Sequence, residues 1–304
     1  MKSILITGGS GFIGKKLSDY FIKKNYKVFH LSKSGKIIKD IQSFQWDPEK
    51  KYISESGKEI LQQVDAVIHL AGKNIAEQQW NESFKKEIIN SRVDSTSFLC
   101  ELLNYNQNQK RPEVVIFASA TGYYGDRGSE ILTEESNPGK GFLAETCKLW
   151  EQASINLHPE IRKVHIRIGI VLDKEEGSLP KMLLPMKFFL GSIPGNGKQF
   201  LSWIHIQDLI RIFDFVLENN NAKGVYNGTA PHPVTIEEFY KVASKLLNRP
   251  IFLPNIPEFL IRFILGEMSK LVLDSACVLP KRLLDENFEF KYKNISSALD
   301  DLIL

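Results

Sequence analysis

The chain has 304 residues, of which 43% are hydrophobic and 25% charged, and a formal net charge of +3. This is ordinary globular composition with enough apolar area for one large domain and a smaller attached lobe, which excludes a disordered chain. The lysines are scattered, giving no stripe to track nucleic acid, and no segment approaches the roughly 20 apolar residues needed to cross a bilayer, so neither nucleic acid nor a membrane is expected as partner.

From the N-terminus, short Ile/Val-rich runs alternate with helix-period stretches, the pattern of a parallel sheet buried on both faces. Strands are expected at Ser3–Thr7, Lys27–Leu31, Ala66–Ala71, Val114–Ala118 and Lys163–Ile168, with helices over Ile13–Lys24, Ser83–Asn106 and Gly141–Ile155. The fold class is α/β, a Rossmann-type doubly wound parallel sheet with a smaller, mainly helical C-terminal lobe. After Val171 the alternation stops. Pro180, Pro185, Gly191, Pro194, Gly195 and Gly197 predict an irregular segment where substrate contacts would be inserted. A helix over Ile206–Glu218 and a strand at Val225–Asn227 return to the main domain. Thr235 and Glu238 form a capping box opening a helix over Ile236–Leu247, and Pro250, Pro254 and Pro257 separate it from an apolar helix around Phe259–Leu265. The domain reading is a dinucleotide-binding unit of residues 1–172 with a returning segment of about 203–230, and a substrate and C-terminal lobe of residues 173–202 and 231–304.

Cys100, Cys147 and Cys277 are far apart and odd in number, which fits neither a zinc site nor a disulfide framework and points to a reducing cytoplasm. The apolar run Ile4-Leu5-Ile6 is too short for a signal peptide.

The chemistry-bearing feature is Thr7-Gly8-Gly9-Ser10-Gly11-Phe12-Ile13-Gly14, lying between a strand and an amphipathic helix. Gly8, Gly11 and Gly14 let the backbone approach a pyrophosphate, and the helix N-terminus turns its unpaired N–H groups toward that anion. About 20 residues past such glycines, NAD-specific folds carry an acid for the ribose 2′-hydroxyl. Here the second strand ends in Leu31-Ser32-Lys33-Ser34. A carboxylate would repel a 2′-phosphate, whereas Ser32 can donate to it and Lys33 can pair with it, so NADP(H) is the expected cofactor. Lys33 also has a plain reading as a solvated loop lysine.

Together with His69-Leu70-Ala71-Gly72, Ser119–Gly125 and Trp203-Ile204-His205-Ile206-Gln207-Asp208, this loop resembles the extended short-chain dehydrogenase/reductases of the NAD-dependent epimerase/dehydratase family. Ala120-Thr121-Gly122-Tyr123-Tyr124-Gly125-Asp126, Ser202-Trp203-Ile204-His205 and Leu279-Pro280-Lys281-Arg282-Leu283-Leu284 resemble its YfcH-type branch, over essentially the whole chain. The resemblance implies cofactor contacts from Gly8, Gly11, Phe12, Ile13, Gly14, Ser32, Lys33, Leu70, Ala71, Gly72 and Ser119. It also implies a Tyr-x-x-x-Lys pair with an upstream Ser or Thr, in which tyrosine moves the substrate proton and lysine lowers its pKa. That pair is absent. Leu143 stands at the tyrosine position, Cys147 at the lysine, Ala120 at the serine or threonine, and Arg92 at the helix asparagine. The Arg-Asp pair that meets a sugar diphosphate is replaced by Leu201 and Ser202, against a nucleotide-sugar substrate.

The remaining candidates for chemistry are Thr121, Tyr123 and Arg92, with Asn74, Lys181 and Gln199 for substrate; Lys148 is a further polar group near the cleft. Arg92 meets either an anion or a structural acid, since an unpaired buried guanidinium is costly. Tyr124 reads as packing, His205 as a hinge residue, and Cys147 as either a core residue or a site residue. Two functions follow: an atypical NADP(H)-dependent oxidoreductase acting on a small molecule, or a non-catalytic NADP(H)-sensing module. A homodimer is compatible with either.

Overall fold

The structure is a computed structural model and describes residues 2–36, 41–105 and 110–304. The chain begins with β1 (Ser3–Thr7), α1 (Phe12–Lys23), β2 (Lys27–Ser32), β3 (Ser43–Asp47), β4 (Tyr52–Ile53), α2 (Glu55–Leu61), β5 (Ala66–His69), α3 (Glu82–Asn104) and β6 (Val114–Ala120). A single 3-10 turn over Thr121–Tyr124 leads to β7 (Ile131–Leu132), α4 (Phe142–Gln152), β8 (Arg162–Ile168) and β9 (Ile170–Leu172). There follow α5 (Leu179–Lys187), β10 (Phe200–Leu201), β11 (Trp203–His205), α6 (Ile206–Glu218), β12 (Gly224–Gly228), β13 (Val234–Thr235) and α7 (Ile236–Leu247). The chain closes with α8 (Glu258–Leu265), α9 (Lys270–Leu273), β14 (Cys277–Val278), α10 (Lys281–Asp285) and α11 (Ile295–Ile303).

The main sheet runs β12-β8-β6-β5-β1-β2-β3-β4, parallel except for the antiparallel β3–β4 pair. Ile4, Leu5, Ile6, Val67, Ile68, Val115 and Ile116 are fully buried because both faces of the sheet are covered, and this explains their unbroken apolar runs. The chain leaves β1 toward β2 and β3, then re-enters on the other side at β5. The resulting switch point opens a crevice at the carboxyl ends of β1 and β5, where doubly wound sheets bind ligands.

Each of the five expected strands is present, with limits shifted by at most two residues. The expected helices over Ile13–Lys24, Ser83–Asn106 and Gly141–Ile155 correspond to α1, α3 and α4; Asn106 lies outside the described residues. Helix α6 spans the expected residues, and Thr235 and Glu238 form the reciprocal capping box at the start of α7. The segment after Val171 differs from expectation, because α5 occupies Leu179–Lys187 with Pro180 in its first turn and Pro185 inside it. A first-turn proline gives up only an N–H that no helix uses, and Pro185 lies close to the end. The strands β3 and β4 and the helix α2 carried no clear sequence pattern.

The Trp203-Ile204-His205 segment is structural in its contacts. Trp203 is fully buried, and its indole N–H donates to the His232 carbonyl at 3.1 Å. His205 caps α6 by accepting the Gln207 N–H at 3.1 Å, and its ring stacks on Tyr292 with centroids 3.8 Å apart. Asp208, fully buried, accepts the backbone N–H groups of Lys291 and Tyr292 at 2.9 and 2.8 Å and also pairs with Arg211 at 3.0 Å. The C-terminal segment is thereby clamped to α6. Arg282 plays a similar part at β12, forking onto the carbonyls of Lys223 and Val225, both at 2.8 Å.

Asp208→Ala should destabilise the fold by about 1–3 kcal/mol, since it strands the buried Tyr292 N–H and removes the acceptor from the part-buried Lys291 N–H. Urea unfolding followed by circular dichroism measures this, and an effect below about 0.5 kcal/mol would remove the clamp from the argument.

Candidate functional site

The crevice is built on Thr7. Its hydroxyl oxygen accepts the N–H groups of Leu70 and Ala71, each at 3.2 Å, so its own proton goes to His69 Nδ1 at 2.8 Å. The remaining His69 proton is then on Nε2, facing Thr96 Oγ1 at 3.1 Å and Ser95 Oγ at 3.3 Å. Burial, with a smaller contribution from His165, pushes the His69 pKa down to about 3, so the ring is neutral. This chain of contacts fixes the loop after β5 against the end of β1.

The glycines of the loop divide their tasks. Gly8 has φ +69°, and a side chain there would meet the Leu70 backbone at 2.9 Å. Gly14 is packed so tightly that a Cβ would lie 2.4 Å from the Gly8 carbonyl oxygen. Gly11 differs: its nearest neighbour to a Cβ is the Gly8 oxygen at 3.2 Å, its φ of −76° suits any residue, and no side chain caps α1 there. With no side-chain cap at this helix start, the first-turn N–H groups of Phe12, Ile13 and Gly14 are without an intrahelical partner, the arrangement that suits an anion. Phe12 also packs over Gly177, where a Cβ would come within 3.1 Å of its ring, and Lys16 pairs with Asp173 at 2.9 Å to hold that second loop across α1.

At the end of β2, Ser32 accepts the Gly35 N–H at 3.1 Å and lies 3.0 Å from the Ser43 hydroxyl. Lys33 pairs with Glu49 at 2.9 Å, with both side chains largely exposed. Such a pair contributes about 0–1 kcal/mol, so it holds Lys33 only weakly. Leu70 and Ala71 are the partners of Thr7, and Gly72 lies directly over Arg92, with a Cβ there 3.3 Å from Cζ.

Arg92 donates to the carbonyls of Ile88 and Lys73, both at 3.0 Å, and its guanidinium lies 5.0 Å from the centre of the Trp150 ring. Among the described residues it makes no ion pair with a carboxylate. Its visible work is to hold the loop after β5 from below. Asn74 is exposed and accepts the Ala76 N–H at 2.9 Å, closing a turn in the same loop. Lys181 is exposed on α5, and Lys148 lies 3.9 Å from Glu145. Gln199 is buried and donates its amide to the carbonyls of Pro194 and Val272, at 2.8 and 3.4 Å, which occupies it within the protein.

Under the expected position of chemistry lies an ion pair that the motifs did not announce. Glu151 on α4 receives Arg167 of β8 in a bidentate contact, with Nε–Oε1 and Nη2–Oε2 both 2.8 Å, and accepts the Ser119 hydroxyl at 2.7 Å. Arg167 also donates to the Tyr124 hydroxyl at 3.0 Å, and Tyr124 donates to Asn227 at 2.7 Å. Burial works to raise the Glu151 carboxyl, but Arg167 and Ser119 hold it below the usual carboxylate range. Arg167 in turn lies 3.4 Å from the centre of the Tyr123 ring, fixing that ring at the turn that Thr121 opens. Cys147 is buried; burial raises its thiol pKa to about 12, Glu151 adds to the rise, and Arg92 opposes it, so no thiolate forms at neutral pH. Leu143 lies beside Gly122, with 3.4 Å from its Cβ to a Cβ placed there. The pair had a sequence signal: Glu151 follows Trp150 on an amphipathic helix, and Arg167 stands between Ile166 and Ile168 in the buried half of its strand.

Residues 4–145 match the model of the NAD dependent epimerase/dehydratase family, and residues 256–302 match a domain of unknown function, DUF1731. The chain is 37% identical over 298 residues to the chloroplastic epimerase family protein SDR39U1 homolog of Arabidopsis thaliana, covering 98% of this chain and 85% of the relative. This chain belongs to the epimerase family. Epimerase family protein YfhF of Bacillus subtilis is 35% identical over 305 residues, 99% of this chain and 98% of its own length. Human epimerase family protein SDR39U1 (isoform 2), solved with NADPH, superposes with a TM-score of 0.86 at 28% identity and covers 99% of both chains. The epimerase-family fold is thus present, with Leu143 and Cys147 where the redox members' tyrosine and lysine are expected.

Two outcomes follow. Gly11→Val should leave cooperative unfolding intact and abolish stabilisation by dinucleotide, whereas Gly14→Val should destabilise the apoprotein itself; thermal unfolding with and without NADPH reads both. The His69 pKa is depressed from 6.5 to about 3, so between those values the unfolded chain binds a proton that the folded one refuses. Stability is therefore full above about pH 6.5 and falls as pH decreases toward 3. His69 alone accounts for about 2 kcal/mol at pH 5. Unfolding at pH 5 and pH 7.5 should show His69→Gln losing less stability on acidification than wild type, and equal losses would contradict the neutral-ring assignment.

Proposed function

We propose that this protein binds NADP(H) in the crevice between β1 and β5 and uses it as an oxidoreductase on a small molecule other than a nucleotide sugar. The start of α1 carries the reading: no side chain caps it, and of the glycines before it Gly11 meets a single neighbour, the Gly8 oxygen at 3.2 Å, whereas Gly14 is packed against Gly8 and Gly9 on several sides. The NADPH bound by the human relative supports the cofactor, as does Ser32-Lys33 where an acid would favour NAD. The first-turn N–H groups of α1 would take the phosphates, with Ser32 and Lys33 on the 2′-phosphate; Leu70, Ala71, Gly72 and Ser119 would line the crevice.

The bound cofactor supplies hydride chemistry. Thr121 and Tyr123, at the carboxyl end of β6, are the groups proposed to hold or deliver a proton to the product oxygen. Arg167 orients the Tyr123 ring, and Glu151 keeps Arg167 in position. Arg92 shapes the loop under the crevice, while Asn74 and Lys181 remain the proposed substrate contacts. Three free, buried cysteines suit a reducing cytoplasm.

A second reading, a non-catalytic NADP(H) sensor, has one observation in its favour: Ser119 and Tyr124 are both tied into the Glu151–Arg167 network. Turnover separates the two. NADPH should bind at least tenfold more tightly than NADH by calorimetry, with Lys33→Ala losing most of that difference; equal affinities would sink the 2′-phosphate assignment. With a panel of carbonyls, quinones and carboxylic acids, NADPH oxidation should be reduced about 10²–10⁴-fold by loss of the proton-delivering group in Thr121→Val or Tyr123→Phe. It should be absent with UDP-sugars. Binding without turnover of any panel member would favour the sensor, and brisk UDP-sugar turnover would refute both.

A further inference from the structure

The α5–α8 side of the smaller lobe carries an apolar surface that the cofactor site does not use. Phe263 is 86% exposed, Phe259 73% and Phe188 68%, and Leu190, Phe252 and Ile264 stand out beside them. These side chains come from three segments joined into one surface. Ile193 and Gly195 exchange backbone hydrogen bonds with Ile256 at 2.9 Å, the Ser192 hydroxyl donates to the Pro254 carbonyl at 2.6 Å, and α8 starts directly after Pro257. Phe189 adopts φ +60°, a left-handed conformation uncommon for a bulky residue, and the Arg249 guanidinium covers its ring at 4.3 Å. Of α8 itself only Ile261 is buried, so a helix with the sequence EFLIRFIL turns most of its apolar surface outward.

We infer that this face is the interface between two copies of the chain, related by a two-fold axis that crosses α8. The area argues for it. The exposed Phe, Leu and Ile side chains present on the order of 1,000 Å², against about 300–600 Å² for the largest apolar patch of an ordinary monomer and about 800 Å² per partner in a standard interface. Charge argues for a second copy as the occupant. Glu258 and Arg262 lie one helical turn apart, 3.5 Å from each other and both exposed. When two α8 helices cross antiparallel, Glu258 of one copy comes opposite Arg262 of the other, so the surface is complementary to itself, as an isologous contact requires. The interface also bears on the crevice. The Ile264 carbonyl accepts from Gln79 at 3.1 Å, and Glu267 pairs with Lys85, linking this lobe to the segment that follows β5.

Sedimentation velocity of the full chain from sub-micromolar to about 50 micromolar is the test. Wild type is expected to dimerise, and Phe259→Ser/Phe263→Ser to raise the dissociation constant at least tenfold with an unchanged melting temperature at concentrations where both proteins are monomeric. Glu258→Arg should weaken the dimer by apposing like charges, and the exchanged pair Glu258→Arg/Arg262→Glu should restore it. This rescue keeps the test valid should the double serine variant fold poorly. A wild-type monomer throughout, or a dimer indifferent to all three variants, would overturn the assignment. So would a monomer that sediments with phosphatidylcholine–phosphatidylglycerol vesicles through the same phenylalanines, since the surface would then be lipid-facing.

Discussion

One hydroxyl holds the crevice open. Thr7 ends β1, and its side chain accepts from the two backbone N–H groups that begin the loop after β5 while donating to His69. A doubly wound sheet leaves a gap where its strand order reverses, and the groups at that gap have no neighbouring strand to satisfy them. Thr7 supplies the missing partner within the protein. The crevice is therefore set before any ligand arrives, and the His69 ring must stay neutral for the arrangement to persist.

The second constraint is the ion pair of Glu151 and Arg167. A buried pair of charges is stable only with good geometry and further hydrogen bonds, and this one has a bidentate contact plus Ser119 and Tyr124. It draws α4, β6 and β8 together beneath the turn bearing Thr121 and Tyr123. In a redox member of the family the corresponding helix carries the tyrosine and lysine that move a proton. Here α4 contributes a leucine, a buried thiol and this carboxylate, so its part is to anchor the neighbouring turn.

Much of the fold was legible because the strands are buried on both faces and read as continuous apolar runs, and because Gly8, Gly11 and Gly14 mark the turn from the first strand into the first helix. The capping box at Thr235 was local chemistry and equally readable. What escaped was non-local. Gln199 looks like a substrate-facing amide until the carbonyls of Pro194 and Val272 are seen on either side of it. Arg92 looks like an anion receptor, yet carbonyls occupy its fork. The helix α5 was hidden by its prolines, and β3 and β4 by their mixed polarity. His205 and Asp208 stand in a family motif, but their partners lie more than 80 residues away in the C-terminal segment.

The fork of Arg282 on β12 has a wider meaning. Strand β12 is the last of the sheet, paired only with β8, so one row of its backbone groups faces away from the sheet. Such a row is a template onto which a strand of another molecule can add, and proteins blunt it with charge or cover. By occupying the Lys223 and Val225 carbonyls with a guanidinium, the C-terminal segment shields this edge. A chain still folding, or clipped before Arg282, leaves these two carbonyls uncovered and only Glu134, on the Asn227 N–H, still blocking the edge, so the C-terminal segment adds a barrier to strand addition.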